Sequence, residues 1–393
     1  MRLLHTSTLT FNEFFSSDTP VYAILSHRWN AAPSSETSYQ EFLYRNAHAT
    51  HPGLWKIVQA CALARVDVIK WIWIDTCCID KSSSAELSEA INSMFGWYRE
   101  SFFCYAFLND VSPVAPNESV AKSAWHTRGW TLQELLAPQH MAFYDAEWTR
   151  IGSRRELAGE IAAATGIDAS YLIHGPYYDS SDDREPFQDV CVATKMSWLA
   201  RRQTSRVEDM AYCMLGIFGV NMPLLYGEGT KAFMRLQLEV LRKSDDESLF
   251  AWCYHEGYDV EKRGGMLAPW PWAFEESRNV RRYSEGRHEA SRLPYAMTNK
   301  GLEFRVLVEQ WAGEADEVEG SVVEVGLNCF LQSKNGPNSV WITLMRERKA
   351  WARVERETIK ARPHLYTAVR RMGSVPYGAE TRTVTFYVRQ PGL

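Results

Sequence analysis

Ser26-His27-Arg28-Trp29 places a hydroxyl, an imidazole, a guanidinium and an indole directly after the apolar run Val21-Tyr22-Ala23-Ile24-Leu25. Asp75 follows a second, largely apolar run (68–74), with Asp80 five residues on, and Asn109-Asp110 follow a third (102–108). Such a grouping suits a polar ligand that carries phosphate and a ring. Arg28 would contact the phosphate and Trp29 would stack on the ring. Short polar residues also end strands simply because they make turns, so a ligand site and ordinary turn chemistry both remain open. A further carboxylate, Glu134, lies in Arg128-Gly129-Trp130-Thr131-Leu132-Gln133-Glu134-Leu135-Leu136. Trp130, Leu132, Leu135 and Leu136 fit the buried side of a short helix that Pro138 closes. Glu134 falls near its edge, where by itself it reads as a solvated glutamate.

The elements that must position these groups follow from periodicity. Residues 21–25 read as a buried strand stopped at Ser26, and Leu54, Ile57, Val58, Cys61 and Ala64 share one helical face. A strand over 68–74 ends at Asp75. Ser83 and Glu86 have capping-box spacing and open a helix striped by Leu87, Ile91, Met94, Phe95 and Tyr98. Further strands are expected over 102–108 and 141–144. Continuous apolar strands separated by helices predict a flavodoxin-like parallel sheet with helices on both faces. Ligands of such sheets bind outside the strands' carboxyl ends. No GxGxxG follows any of the strands, which argues against a dinucleotide-binding dehydrogenase.

Residues 154–164 read as one more helix, and 179–185 (Asp-Ser-Ser-Asp-Asp-Arg-Glu) as a linker. Residues 190–243 are predicted helical, with a second capping box at Ser205 and Glu208. From Leu249 the pattern changes to short β-rich runs over 302–308, 322–331, 340–344 and 384–388, which predict an antiparallel accessory sheet. The expected organisation is therefore an α/β domain over residues 1–165, a helical segment over 166–246 and a β-rich domain over 247–393.

Composition bounds the function classes. A chain of 393 residues exceeds one ordinary core. A net charge of −5 gives no bulk electrostatic basis for nucleic-acid partners. The eight cysteines include no CxxC pair, and Cys77 and Cys78 are adjacent, so buried reduced thiols are expected rather than disulfides or a metal site. Residues 1–15 lack the unbroken apolar centre of a signal peptide. The most apolar stretch, 213–226, is broken by Asn221 and Pro223, so no membrane span is expected and the cytoplasm is the default location. The fifteen tryptophans, including the Pro269-Trp270-Pro271-Trp272 stretch, are expected mainly to pack.

Three blocks together resemble the fungal heterokaryon-incompatibility (HET) domain. They are Tyr22-Ala23-Ile24-Leu25-Ser26-His27-Arg28-Trp29, the run from Trp73 to Lys81 (WIDTCCIDK), and Arg128-Gly129-Trp130-Thr131-Leu132-Gln133-Glu134-Leu135. Their order over residues 20–150 is that of the family. Residues 206–212 and 224–229 resemble what often follows the domain in fungal proteins. HET domains are considered distant relatives of TIR domains, some of which cleave NAD between nicotinamide and ribose with a glutamate in a Trp-Cys-x-x-Glu-Leu helix. Trp130-Thr131-Leu132-Gln133-Glu134-Leu135 is similar to that pattern, with Thr131 where cysteine is usual. The resemblance implies a TIR-like fold, Glu134 as the catalytic residue, and Ser26, His27, Arg28, Trp29, Asp75 and Trp130 as ligand contacts. NAD would be substrate, not cofactor, and no metal is implied. Two functions stay open: an NAD glycohydrolase in nonself recognition and cell death, or a non-enzymatic module that self-associates or binds a signalling protein.

Overall fold

A computed structural model describes residues 1–15, 18–29, 36–44, 52–114, 120–175, 187, 189–253, 265–283, 295–299, 301–309, 322–333, 336–347, 350–353 and 381–388. The chain forms two compact units, one of residues 1–187 with 202–226, the other of 188–201 with 227–393. The stretch expected as a separate helical segment thus contributes to both. The linker expected at 179–185 lies outside the described residues.

The first unit is built on a seven-stranded sheet. Its strands are β1 (Arg2–His5), β2 (Phe11–Glu13), β3 (Tyr22–His27), β4 (Trp71–Trp73), β5 (Phe103–Phe107), β6 (Met141–Tyr144) and β7 (Arg150–Ser153), in the order β2-β1-β4-β3-β5-β6-β7. The four central strands run parallel, with Ile24 opposite Trp73 on one side and Cys104 on the other. Their order is second-first-third-fourth, the flavodoxin-like order expected from the sequence. The sheet is mixed at its rims: β1 joins β4, and β7 joins β6, antiparallel. Neither rim was legible as strand. Residues 150–153 take the antiparallel edge, so the helix expected over 154–164 begins only at Ala158.

Helices α1 (Tyr39–Leu43), α2 (Pro52–Val66), α3 (Asp75–Cys78), α4 (Ser84–Glu100) and α5 (Thr131–Leu136) lie in the connections of the parallel strands. The chain steps from β3 to β4 in one direction, then back past β3 to β5 and β6. Right-handed crossovers require that reversal to place α2 on one face and α4 and α5 on the other. In open parallel sheets such a reversal is where ligands bind, outside the carboxyl end of the strand, here β3. β3 is buried at every position, and it runs two residues further than its apolar pattern suggests, taking Ser26 and His27 into the sheet.

α4 begins at Ser83, whose hydroxyl accepts from the Glu86 amide, but only half of the expected box forms. The Glu86 carboxylate instead accepts from the Asp80 amide at 2.7 Å and pairs with Arg2 at 2.6 Å, fastening α4 to β1. The second expected box is also absent: the helix there starts at Asp209, and Ser205 accepts from Arg128 at 3.2 Å. α4 packs against α5 and against the short helix Leu215–Phe218. At the latter contact a Cβ on Gly216 would stand 2.0 Å from Phe95 Cβ.

The second unit holds another seven-stranded sheet, β8 (Val280–Arg282), β9 (Ala296–Thr298), β10 (Gly301–Glu309), β11 (Val322–Ser333), β12 (Gly336–Glu347), β13 (Ala350–Arg353) and β14 (Thr381–Val388), ordered β8-β11-β12-β13-β14-β10-β9. All pairs are antiparallel except β13 with β14, a single departure from the antiparallel expectation. Helix Val192–Ser197 is tied into this unit through the Val192 amide on Asp246 and Thr194 on the Val280 carbonyl. All eight cysteines are free thiols, seven of them buried. Among the described residues no helix is long and apolar enough to cross a membrane.

Two glycines give opposite expectations. Gly216→Ala should destabilise by about 1–3 kcal/mol, because the added methyl overpacks against Phe95. Gly96→Ala, whose new Cβ meets only the end of Glu100 at 3.9 Å, should gain roughly 0.5–1 kcal/mol from helix propensity. Paired chemical denaturation of the two variants checks both signs.

Candidate functional site

Ser26 is the penultimate residue of β3 and has no solvent exposure. Its hydroxyl donates to Glu134 Oε2 at 2.5 Å and accepts from Trp125 Nε1 at 3.0 Å. The Tyr98 hydroxyl donates to the Leu25 carbonyl at 3.0 Å and also lies against the Glu134 carboxyl. Glu134 is therefore not the solvated edge residue its helical position suggests. It is 7% exposed, on a helix whose every residue is buried.

That placement is enforced at the start of α5. Gly129 donates to the Gln203 carbonyl at 2.8 Å, and Gln203 donates to the Thr127 carbonyl at 2.7 Å. A Cβ at Gly129 would sit 2.6 Å from Thr204 Cγ2, so only glycine permits the approach. Thr131 Oγ1 donates to the Trp125 carbonyl at 2.5 Å and accepts from Arg202 Nη1 at 3.0 Å. Arg202 also donates to the Arg128 carbonyl at 2.9 Å. The buried guanidinium thus braces both backbone and side chain where α5 begins, and burial pulls its pKa down to about 10.

Burial pushes the Glu134 carboxyl up to about 8. The hydrogen bond from Ser26 opposes that shift, the Asp75 charge adds to it, and Arg128 and Tyr98 oppose it again. At neutral pH the resting carboxyl is mostly protonated.

His27, the next residue of β3, is held between two carboxylates. Its Nδ1 is 3.8 Å from Asp75 Oδ1 and its Nε2 is 3.7 Å from Glu36 Oε2. Glu36 is engaged in a buried ion pair with Lys56. Burial, reinforced by the Lys56 charge, lowers the His27 pKa, so the imidazole is neutral and Lys56 is the cation that holds Glu36 ionised. Burial opposes ionisation of Glu36, but its neighbours overcome it and hold the carboxyl below the usual range. Among the described residues neither His27 ring nitrogen makes a hydrogen bond, and Asp75 Oδ1 beside it is also without one. Buried polar atoms without partners are uncommon enough to mark a place where a ligand hydroxyl or water can add bonds.

Asp75 Oδ2 accepts from Trp29 Nε1 at 2.8 Å, which fixes the indole beside the end of β3. Lys81 Nζ lies 3.6 Å from the Trp29 ring centroid and Arg128 Cζ 5.9 Å from it. Arg28 is exposed at the end of β3. Trp130 donates to Asp209 Oδ2 at 3.2 Å, and Asp209 also accepts from Tyr226 at 3.0 Å. The structure therefore brings Ser26, His27, Trp29, Asp75 and Glu134 together around one strand end. It shows Trp130 engaged with Asp209, and Arg28 makes no described hydrogen bond or ion pair with the group. Trp125, Tyr98 and Arg202 escaped the sequence reading. Tyr98 appeared there only as part of an apolar stripe, and the one available signal was that a buried tyrosine or tryptophan needs a polar partner.

Glu134→Gln should preserve the Ser26 hydrogen bond and remove the ionisation. Because the wild-type carboxyl stays protonated in the folded state while the unfolded one ionises near 4.5, folding stability falls as pH rises, by about 1.4 kcal/mol per unit, up to about 8. The variant lacks that slope. Its stability advantage over wild type should grow between pH 5 and 8 and level off above, in denaturant titrations across that range.

Residues 22–115 match the family model described as "Heterokaryon incompatibility protein (HET)". The vegetative incompatibility protein HET-E-1 of Podospora anserina is 41% identical over 239 residues, covering 58% of this chain. The chain spans only 17% of that protein's length. No solved structure matches the chain. The family match, the relative and the three sequence blocks agree that this chain carries a segment similar to the HET domain, matched over residues 22–115.

Proposed function

We propose that this protein acts in fungal nonself recognition and cell-death signalling, and that the crevice at the end of β3 hydrolyses the bond between nicotinamide and ribose of NAD. The observation that carries the reading is the 2.5 Å hydrogen bond joining Ser26 to Glu134, which puts a carboxyl at the carboxyl end of the first parallel strand. Kinship with a vegetative incompatibility protein supports the biological half. The flavodoxin-like order of the parallel strands supports the TIR-like half.

The chemistry asked of the site is modest. As the glycosidic bond breaks, nicotinamide leaves neutral, taking the bonding pair, and positive charge develops on the ribose. A carboxylate beside it stabilises that charge. Water adds to the ribose carbon and releases one proton, giving ADP-ribose. Glu134 performs this role as the anion, so the cationic nicotinamide riboside must favour its ionisation on binding. Asp75 Oδ1 and His27 Nδ1, both without hydrogen bonds among the described residues, are suited to ribose hydroxyls. Ser26, fixed by Trp125, keeps its proton directed at Glu134 rather than at solvent.

Purified protein, concentrated enough to self-associate, should release nicotinamide from NAD, and Glu134→Gln should lower kcat/KM by about 10²–10³-fold. Since the ionised form is active, kcat/KM should rise with pH through a midpoint near 8 and level off above it. Ser26→Ala removes a hydrogen bond that favours the anion, so it should move that midpoint to higher pH. Release unaffected by Glu134→Gln ends the mechanism.

One observation favours a second reading, a non-enzymatic module that self-associates or binds a signalling protein. Glu134 is enclosed and mostly protonated at neutral pH, as a purely structural carboxyl would be. On that reading no nicotinamide appears at any concentration, and Glu134→Gln self-associates as wild type does.

A further inference from the structure

Two cations meet at one aromatic ring on the rim of the crevice. Lys81 lies three residues past α3, the helix that begins at the end of β4, and Arg128 follows the short helical turn Ala124–Thr127 in the connection after β5. The two connections leave strands on opposite sides of β3 and converge on the Trp29 indole, which Asp75 holds by its Nε1. Lys81 Nζ covers the ring at 3.6 Å, and Arg128 approaches it at 5.9 Å while its Nη1 donates to Ser205 Oγ at 3.2 Å. Neither cation has a carboxylate within salt-bridge distance among the described residues. Arg28, exposed at the end of β3, makes no such convergence.

We propose that Lys81 and Arg128 form the phosphate-binding edge of the crevice, holding the diphosphate of a dinucleotide that packs against Trp29. The inference takes its substrate class from the NAD reading above and goes beyond it, because it assigns phosphate recognition to two residues outside the strand-end cluster. A lysine lying on an indole face is held by a weaker attraction than a charge-assisted bond to phosphate, so it can leave the ring for an arriving diphosphate. The planar guanidinium supplies the second, directional contact. Exchange of Lys81 for phosphate also bares the Trp29 face for a ring. The overall charge of −5 makes this a local anion site rather than part of a basic surface.

The test measures binding, not turnover, with ADP-ribose, inorganic pyrophosphate and adenosine as probes in calorimetric titrations of the full chain. Lys81→Ala and Arg128→Ala should each weaken ADP-ribose and pyrophosphate at least 10-fold, and should flatten the salt dependence of ADP-ribose binding. Adenosine should bind all forms alike, and Lys81→Arg should restore most of the ADP-ribose affinity. Unchanged melting of the variants confirms that the fold is intact. The proposal is overturned if the wild type binds neither ADP-ribose nor pyrophosphate, if the substitutions leave both affinities intact, or if adenosine weakens as much as ADP-ribose. A protein that binds ADP-ribose through these residues yet releases no nicotinamide loses only the hydrolase reading. One that cleaves NAD with KM unchanged in both variants loses only the phosphate edge.

Discussion

The hydrogen bond between Ser26 and Glu134 joins residues 108 apart in sequence and ties the central strand to the helix that closes the parallel sheet. It forms because two independent constraints converge. β3 is buried along its whole length, so its terminal polar side chain must find a partner inside the protein. α5 is buried along its whole length, so its glutamate is left almost without water. Each group satisfies the other, and Trp125 and Tyr98 complete the network. Removing either partner would leave the other buried without its bond, a cost of about 1–3 kcal/mol.

The same burial decides the electrostatics. Glu134 is held near the boundary between protonated and ionised states, with Asp75 pushing toward protonation and Arg128 pulling toward ionisation. Around His27 the balance is settled differently. Lys56 neutralises Glu36 in a buried pair, and the imidazole stays neutral with both nitrogens open to new bonds. A preorganised pair of this kind is weak support for stability, but it sets the charge environment of His27. Two adjacent residues of one strand thus face two regimes, one titrating near neutrality and one locked.

How much of this was legible in the sequence depended on the scale of the signal. The alternation of apolar runs and amphipathic helices carried the parallel core and its order, because burial on both faces leaves an unbroken apolar strand. The rims were not legible: β1, β2 and β7 are short and partly exposed, so they carry no such run. β3 read two residues short because Ser26 and His27 look like a turn, and only tertiary partners keep them in the sheet. The capping boxes failed for a related reason. Ser83 and Glu86 have the right spacing, yet Arg2 from another strand outcompeted the local backbone for the carboxylate. Glu134 looked exposed because a helical pattern assigns faces relative to one neighbour, whereas α5 is enclosed on all of them. Arg202, which braces α5 from the 202–226 segment, lies 71 residues from Thr131, and nothing local in the chain announces that contact.

The order of charges across the crevice follows from the topology as much as from the residues. The reversal at β3 forces the connections after β4 and β5 to approach one strand end from opposite sides. The first delivers Asp75 and Lys81, the second Arg128 and then Glu134. Each connection therefore carries one carboxyl close to β3 and one cation further out against Trp29. Acidic groups close to β3 and cations further out against Trp29 give the polarity on which the proposed binding of NAD draws. Neither connection alone could present that polarity, which is why the crevice is a property of the sheet order and not of any one motif.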